Sequence, residues 1–600
     1  MVARTSTVAR QEARRLSALR RRVRLVVQAV HREAAANRRR IKAALPAHRR
    51  SAVNLAHYVG LRKQRVRQLQ LDLARLGLSS LGRSEGHVRD TLMRLAGWLE
   101  PRHARRGAAA AQDELDKSTA EATLHENTRA LFGPHPPDRH VYIMITAPDA
   151  VEVTARWMDK VLRAGANLLR INGAHETPAD WQRIVEVARA RSRALGRPLK
   201  VFVDLPGPKL RAEIRRTQPA VLHFPRCKDR FGRTVGPGRI SLVPKFTAPP
   251  QVPLPAEWFG RLRAGDVLRL KDAGGRLREL TICAVSAQEA QAECARSLYV
   301  TAGLAVEWRR GRRWLERGAV GAIPRESCDV LLERDARFVL REDSRAAADN
   351  LPVLQCPERG VLRQVKRGER VVLDDGRIVA VVESSGRDQL LCRVRQTAKS
   401  PARLRSGKGL AFPDSHVSLA ALGPEDETAL AFALQHADGV DVSFVNARRD
   451  VDRIVKRLHA AAPAGFGLVL KLETQGAIRN LPAILFAALC YRPAGLMIAR
   501  GDLAVEASFE QLAELQEEIL GFGEACHLPV IWATQVLDSL AHTGVPTRAE
   551  MTDAAMSMRA ECVMLNKGPY VAEATRMLVR VIRDMEPRQY KKRALFAPLA

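Results

Sequence analysis

The run LVLKLETQ (468–475) sets Lys471 and Glu473 two apart at the end of an apolar stretch, so on a strand both side chains leave the same face. Other apolar runs end in the same way. NLLRIN closes on Arg170 and Asn172 with His175 just beyond, and LKVFVDLPG closes on Asp204, followed by Lys209 and Arg211. GLMIARGD ends in Gly501 and Asp502, and PVIWATQ in Thr534 and Gln535. Glu473 and Asp502 are hard oxygen donors suited to Mg2+ (or Mn2+), which binds through one or two carboxylates plus substrate oxygens. Lys471 beside Glu473 can stabilise a phosphoryl group in transfer, and Arg170 and Arg211 add positive charge for phosphate. Any one of these fits a satisfied polar end or a salt bridge. Five strands ending this way on one rim are not explained by packing, because burying unpaired charges is costly. The chain has no Walker sequence, no kinase glycine-rich loop and no lone reactive Cys/His pair, so a nucleotide has to be held by other means.

The elements that must position these residues follow from residue 141 onward. Short apolar runs alternate with amphipathic stretches at 150–164, 179–195, 447–461 and 507–527. Eight strands with helices between them predict an α/β fold, a (β/α)8 (TIM) barrel, with reactive groups at the carboxyl ends of its strands. Strands 1–3 fall in 141–211 and strands 4–8 in 414–586, with a tail at 587–600. Between them, 212–413 reads as an inserted all-β domain after strand 3. It contains an internal echo, LRAGDVLRLKDAGGRLREL (262–280) against VKRGERVVLDDGRIVAVV (365–382), which reads as two related β modules or as two hairpins sharing turn chemistry. Ahead of the barrel, residues 1–132 form a basic helical extension and linker. Helices are expected over 8–45, 61–76 and 86–99, and RGAAAAQDELDK and FGPHPPDRH read as linker.

The net charge of +33 is uneven: residues 1–100 carry 23 Lys and Arg against 6 Asp and Glu. That marks a basic appendage on a more ordinary body. Nine scattered cysteines without a CxxC pair fit a reducing, cytoplasmic compartment and argue against a disulfide framework or structural zinc. No apolar run reaches membrane-spanning length, and the N-terminus lacks the apolar core of a secretory signal.

These motifs together resemble the pyruvate kinase family. AGANLLRINGAHET is similar to its Arg-x-Asn-Phe-Ser-His stretch, VDLPGPKLR to its Asp-x-x-Gly-Pro-x-Ile-Arg, and LKLETQGAIRNLPAIL to its Lys-Ile-Glu-Asn strand. GLMIARGDLAVE, PVIWATQVLDSL and PTRAEMTDAA follow in the family's order, and LDDGRI and SGKGLAFP resemble a turn and the exit of its lid domain. The resemblance covers 141–585. It implies a Mg2+-dependent enzyme that moves a phosphoryl group from phosphoenolpyruvate to ADP. Lys471 would stabilise that group. Glu473 and Asp502 would hold the metal, Gly501 and Thr534 would grip the substrate carboxylate, and Arg170 and Arg211 would face phosphate. His175 would lie near the nucleotide, Asn172 and Asp204 would line the monovalent-cation position, and Asp375 on the lid would close over the site.

Three departures from the family pattern carry expectations. Ala174 stands where the family has a K+-binding serine, and Lys209 where K+-dependent members have glutamate, so an ammonium replaces the ion and K+ is not required. Strand 8 runs into VMLNKGPYVAEA instead of Ser-Gly-Glu-Thr-Ala, which bears on enolate protonation and on the choice of substrate; Lys567 is a candidate for the vacated space. The sequence ends soon after the eighth helix, so effector control through the family's C-terminal domain is not expected. Two other readings stand beside the enzyme: the same fold acting on a different phosphorylated acid or acceptor, and a scaffold whose basic helices bind nucleic acid or an anionic membrane. Against the latter, Tyr58 and Trp98 are the only aromatic residues in the first hundred. A basic hairpin that docks on the barrel or forms a homo-oligomer contact also fits.

Overall fold

The eight apolar runs become the parallel strands of a closed barrel: β1 Tyr142–Thr146, β2 Leu168–Asn172, β3 Lys200–Asp204, β4 Gly439–Val442, β5 Gly467–Leu472, β6 Ala494–Ala499, β7 Val530–Ala533 and β8 Cys562–Leu565. They are neighbours in chain order, and β8 closes on β1. The computed structural model describes residues 2–594 other than 79–80, 100–114, 215–216, 229–232, 287, 344–350, 416, 418–421, 508 and 591–592. Helices follow the strands where the sequence places caps. The Thr177 hydroxyl accepts the amide of Asp180 to open Pro178–Leu195, and Gly196 at φ 59° ends that helix.

The barrel interior is packed rather than open, with Tyr142, Met144, Leu168, Phe202, Val469, Met497 and Ile531 among its contents. Its amino-terminal end is plugged from outside the barrel. The segment read as linker contains a helix, Lys117–Phe132, started by Asp116, whose carboxylate accepts the Thr119 amide. Leu131 and Phe132 at its end join the interior cluster. Gly467 and Gly495 make the room, since a Cβ there would stand 2.7 and 2.5 Å from the Leu131 methyl carbons. Polar groups are therefore left to the carboxyl end of the barrel.

The basic extension also differs from its expected form. The first helix runs Val2–Ala36 and breaks before Arg38–Ala43, at Asn37, whose amide side chain turns back to Glu33. A helix at Arg49–Arg62 was not expected, and the expected 61–76 helix shortens to Arg67–Arg75. Arg49–Arg62 escapes a periodicity reading because it is buried nearly all round, from Ser51 through Leu61. One face meets the first helix, where a Cβ on Gly60 would come within 2.9 Å of Val30 Cα. The other meets the barrel, where Asn54 donates to Ala525 O at 2.8 Å and His527 Nδ1 lies 3.0 Å from Ser51 Oγ. The extension shares one hydrophobic core with the outer barrel helices.

The chain divides into two compact units, 1–210 with 364–381 and 409–600, and 211–363 with 382–408. The expected 212–413 boundary is thus redrawn: the hairpin turn at Asp375 and the segment from Gly409 count with the barrel, tied there by the Leu410 amide on Leu210 O and by Asp375 near Lys209. In the second unit, Gly238–Val243 lies between Gln251–Pro253 (parallel) and Ala290–Cys294 (antiparallel). Arg337–Arg341 lies in the same way between Val353–Gln355 and Gln389–Thr397. The quoted hairpins repeat as well. Val267–Lys271 pairs with Leu277–Val285 and Ala305–Arg310, and Arg370–Leu373 pairs with Ile378–Ser385 and Lys408–Ala411. Both are entered by a glycine at φ 88°, Gly265 and Gly368. In both the next acid accepts the amide three residues back, Asp266 from Arg263 and Glu369 from Lys366.

Candidate functional site

The carboxyl ends of β3, β4 and β5 bring one ammonium into a ring of oxygens. Lys471 Nζ lies 2.9 Å from Glu473 Oε1 and 3.0 Å from Asp204 Oδ1, and donates to Ser443 Oγ at 2.7 Å. Asp204 also pairs with Arg170, which reaches Thr146 Oγ1 at 3.3 Å. Burial works against charge in all of these groups, and the pairing decides the outcome. Burial pushes Asp204 up, but Arg170 and Lys471 outweigh it and hold the carboxyl below its ordinary value. Lys471 is raised despite its burial, by Asp204 and Glu473. Glu473 is raised by its own burial and by the charge of Asp502, which outweigh Lys471.

Glu473 is fully buried; its Oε2 accepts the Phe444 amide at 2.6 Å and its Oε1 faces the Lys471 ammonium at 2.9 Å. A buried carboxylate within electrostatic reach of a second one, Asp502, fits a hard divalent cation completed by substrate oxygens. Among the described residues no group of three or more His, Cys, Asp or Glu side chains forms a cage of its own for a metal.

Asp502 lies in the first turn of Arg500–Glu506, after β6. The Gly501 amide beside it donates to Thr534 Oγ1 at 2.9 Å, joining the ends of β6 and β7. Thr534 and Gln535 hold left-handed backbone at φ 66° and 59°, a conformation costly for such side chains. Arg500 fixes this corner. It grips Asp553 with two nitrogens at 2.5 and 2.8 Å, donates to the carbonyls of Ala533 and Thr534, and lies 5.1 Å from the centre of the Trp532 ring.

Lys209 Nζ is 2.8 Å from Asp502 Oδ1 and 3.5 Å from Asp375 Oδ1. Asp502 outweighs the burial of Lys209 and raises its pKa. The partners of Lys209 are thus Asp502 and Asp375, whereas Asp204 pairs with Arg170 and Lys471 and Asn172 Oδ1 accepts the Ala174 amide. A cavity opens beside Lys209, Asp375 and Asp502, bounded by Arg449, Arg479 and Glu506. A second holds Arg170, Asn172 and His175 with Asp149 and Lys567, which pair at 2.8 Å. Arg211 belongs to the second compact unit, where it donates to Gly407 O at 2.9 Å.

Four residues were not singled out from the sequence. Ser443 and Arg500 gave no pattern signal. Glu506 is pushed up to about 7 by burial and by Asp502. Asp441, fully buried on β4 beside Asp204, has neither carboxylate oxygen hydrogen-bonded, and burial followed by Asp204 raises it to about 8. A lone acid inside the apolar run GVDVSFV was its legible signal.

A family model described as the pyruvate kinase barrel domain matches residues 322–574. The match begins after the first β module and runs through β4 to β8. Pyruvate kinase 2 of Synechocystis is 35% identical over 233 residues, covering 37% of this chain and 38% of that protein. Pyruvate kinase PKLR of Homo sapiens is 32% identical over 278 residues, 45% of each chain. The pyruvate kinase of Thermococcus litoralis is 32% identical over 275 residues, 44% of this chain and 55% of that one. The chain thus spans about half the length, or less, of these relatives.

Proposed function

The chain belongs to the pyruvate kinase family, and from that premise we propose that it transfers the phosphoryl group of phosphoenolpyruvate to ADP, giving pyruvate and ATP. The observation that supports this most is the buried Lys471 ammonium held between Glu473 and Asp204 beside the Asp502 corner. In the reaction the bond between the enol oxygen and phosphorus breaks. A β-phosphate oxygen of ADP takes the phosphoryl group, and the enolate left behind gains a proton at carbon. Lys471 is already charged and already oriented, so it meets the developing charge without reorganisation. The corner of Gly501 and Thr534 takes the substrate carboxylate, in a position fixed by Arg500. Arg170 and His175 face the nucleotide phosphates from the cavity at the end of β2, and Asp375 excludes water from the other side. Glu473 and Asp502 would hold Mg2+ or Mn2+, which neutralises charge on the phosphoryl and enolpyruvate oxygens.

On this reading K+ is not required, because the Lys209 ammonium supplies a fixed positive charge beside Asp502. Purified protein given phosphoenolpyruvate, ADP and Mg2+ should release pyruvate at the same rate when K+ is replaced by tetramethylammonium. A large stimulation by K+ would remove the role given to Lys209.

The altered segment after β8 favours a second reading, in which the same site takes a different phosphorylated acid. There Lys567 is paired with Asp149 across the cavity that holds Arg170 and His175. ATP formation from other phosphorylated 2-hydroxy or 2-enol acids, faster than from phosphoenolpyruvate, would select that reading.

A further inference from the structure

We propose that an arginine-lined cleft at the amino-terminal face of the barrel binds a small molecule carrying two or more phosphate groups. The cleft, a cavity of about 1150 Å3, is bounded by the chain entering β1, by the turns entering β2 and β3, and by the helix Val571–Met585. Six arginines line it, from Arg139 to Arg583, against two acids, Asp138 and Glu573.

The pairing within the cleft leaves charge over. Arg139 is buried and spent on Gly165 O at 2.6 Å, Asn167 Oδ1 at 2.7 Å and Val141 O at 2.9 Å, with Asp138 alongside. Asp138 also takes Arg583, and Glu573 takes Arg576 at 2.9 Å. Both acids are then used. Arg163, Arg197 and Arg580 come from three different elements, and among the described residues none has a carboxylate within 4 Å, the nearest charge acting on Arg163 being Asp159 one turn earlier, which is itself paired with Arg191. Arg197 donates to Leu162 O at 3.2 Å and Arg580 meets the Met577 sulfur at 3.8 Å.

Three guanidinium groups converging on one cavity repel each other until an anion joins them. The planar fork of arginine matches phosphate oxygens two at a time. One phosphate cannot satisfy three such forks from separate walls, whereas two or more linked phosphates can. Leu540, Pro546 and Val579 line the remaining walls, while Arg163, Arg197 and Arg580 stay exposed, so the pairs they form are open to screening by salt. The cleft lies at the strand starts, away from the strand ends that carry Lys471 and Asp502, so substitutions and labelling at its own arginines separate binding there from phosphate binding at the rim.

The experiment is calorimetric titration of the full chain with inorganic pyrophosphate at about 0.15 M salt. One saturable site per chain is expected. Charge reversal at Arg163→Glu with Arg580→Glu should weaken binding by about tenfold or more. The same reversal at Arg32→Glu with Arg39→Glu, exposed on the extension, should change it less than about twofold. Equal weakening by both pairs, or no saturable binding, overturns the proposal, because the general positive field of the chain then explains the result. A measurement without variants runs beside it: pyrophosphate should shield Arg163, Arg197 and Arg580 from phenylglyoxal more than Arg32 and Arg39, and equal labelling counts against the site. Tripolyphosphate and an alkane bisphosphonate distinguish adjacent from separated phosphates. Binding of either that is tighter than that of inorganic phosphate and weakened by the Arg163→Glu/Arg580→Glu pair supports the proposal, and the absence of such binding for both contradicts it.

Discussion

Lys471 is one of two cations, with Arg170, set among three buried carboxylates, Asp204, Asp441 and Glu473. Removing it has two separable consequences. Lys471→Met leaves Glu473 without its cation and Asp204 with Arg170 alone, so stability at neutral pH should fall by about 3 kcal/mol or more in denaturant titration. That loss should shrink on acidification, as the carboxylates take up protons. Arg500 carries a different kind of prediction. Arg500→Lys keeps the charge but loses the two-nitrogen grip on Asp553 and the stacking on Trp532, so the Gly501–Thr534 corner loosens. Phosphoenolpyruvate KM should rise by about tenfold, with kcat less affected; an unchanged KM would show that the corner does not take the carboxylate. Most site residues were legible because each ends an apolar strand, where a charge is conspicuous. Asp441 was not, since it sits within such a run, and neither Ser443 nor Arg500 differs by type or spacing from an ordinary surface residue.

The extension depends on histidines buried in the neutral form. His57 is held down to about 4 by burial, with His31 and Arg89 adding to the shift. Its folded pKa lies below the unfolded value, so its contribution is fully present above about pH 6.5 and is lost as pH falls toward 4, a difference of about 3 kcal/mol. Thermal unfolding between pH 7 and 4.5 should therefore be steeper in pH for the natural protein than for His57→Leu; parallel curves would refute this. Packing makes a second demand at the barrel floor. Leu131→Ala should cost about 2–5 kcal/mol by opening a cavity between Gly467 and Gly495, read as a lowered denaturation midpoint. Both elements were hard to read from sequence for physical reasons. Arg49–Arg62 is buried on nearly every side and shows no polar stripe. Lys117–Phe132 lies between an alanine-rich stretch and a proline-rich one, whose compositions masked its cap at Asp116. The barrel strands were plain because each is covered on both faces and reads as a continuous apolar run.

At the scale of the molecule, the eight-stranded barrel carries two additions, a basic helical extension that shares a core with its outer helices and an inserted β region in which strand pairings repeat. The repeat was visible in sequence as two glycine–acid turns. How far the doubling extends was not, because strand pairing brings together segments far apart in the chain. No helix among the described residues is long and apolar enough to cross a membrane. The charge excess of the first hundred residues is partly absorbed by docking, as in Arg62 with Glu518 of the barrel. The central claim concerns the rim: one ammonium and two carboxylates acting together on a phosphoryl group. Its most direct test is ATP formed from phosphoenolpyruvate and ADP by purified natural protein, beside Lys471→Ala and Asp502→Ala variants shown to be folded. ATP should accumulate with the natural protein and fall by about a hundredfold or more in each variant, whereas equal ATP from all three, or none above background from the natural protein, would contradict the account.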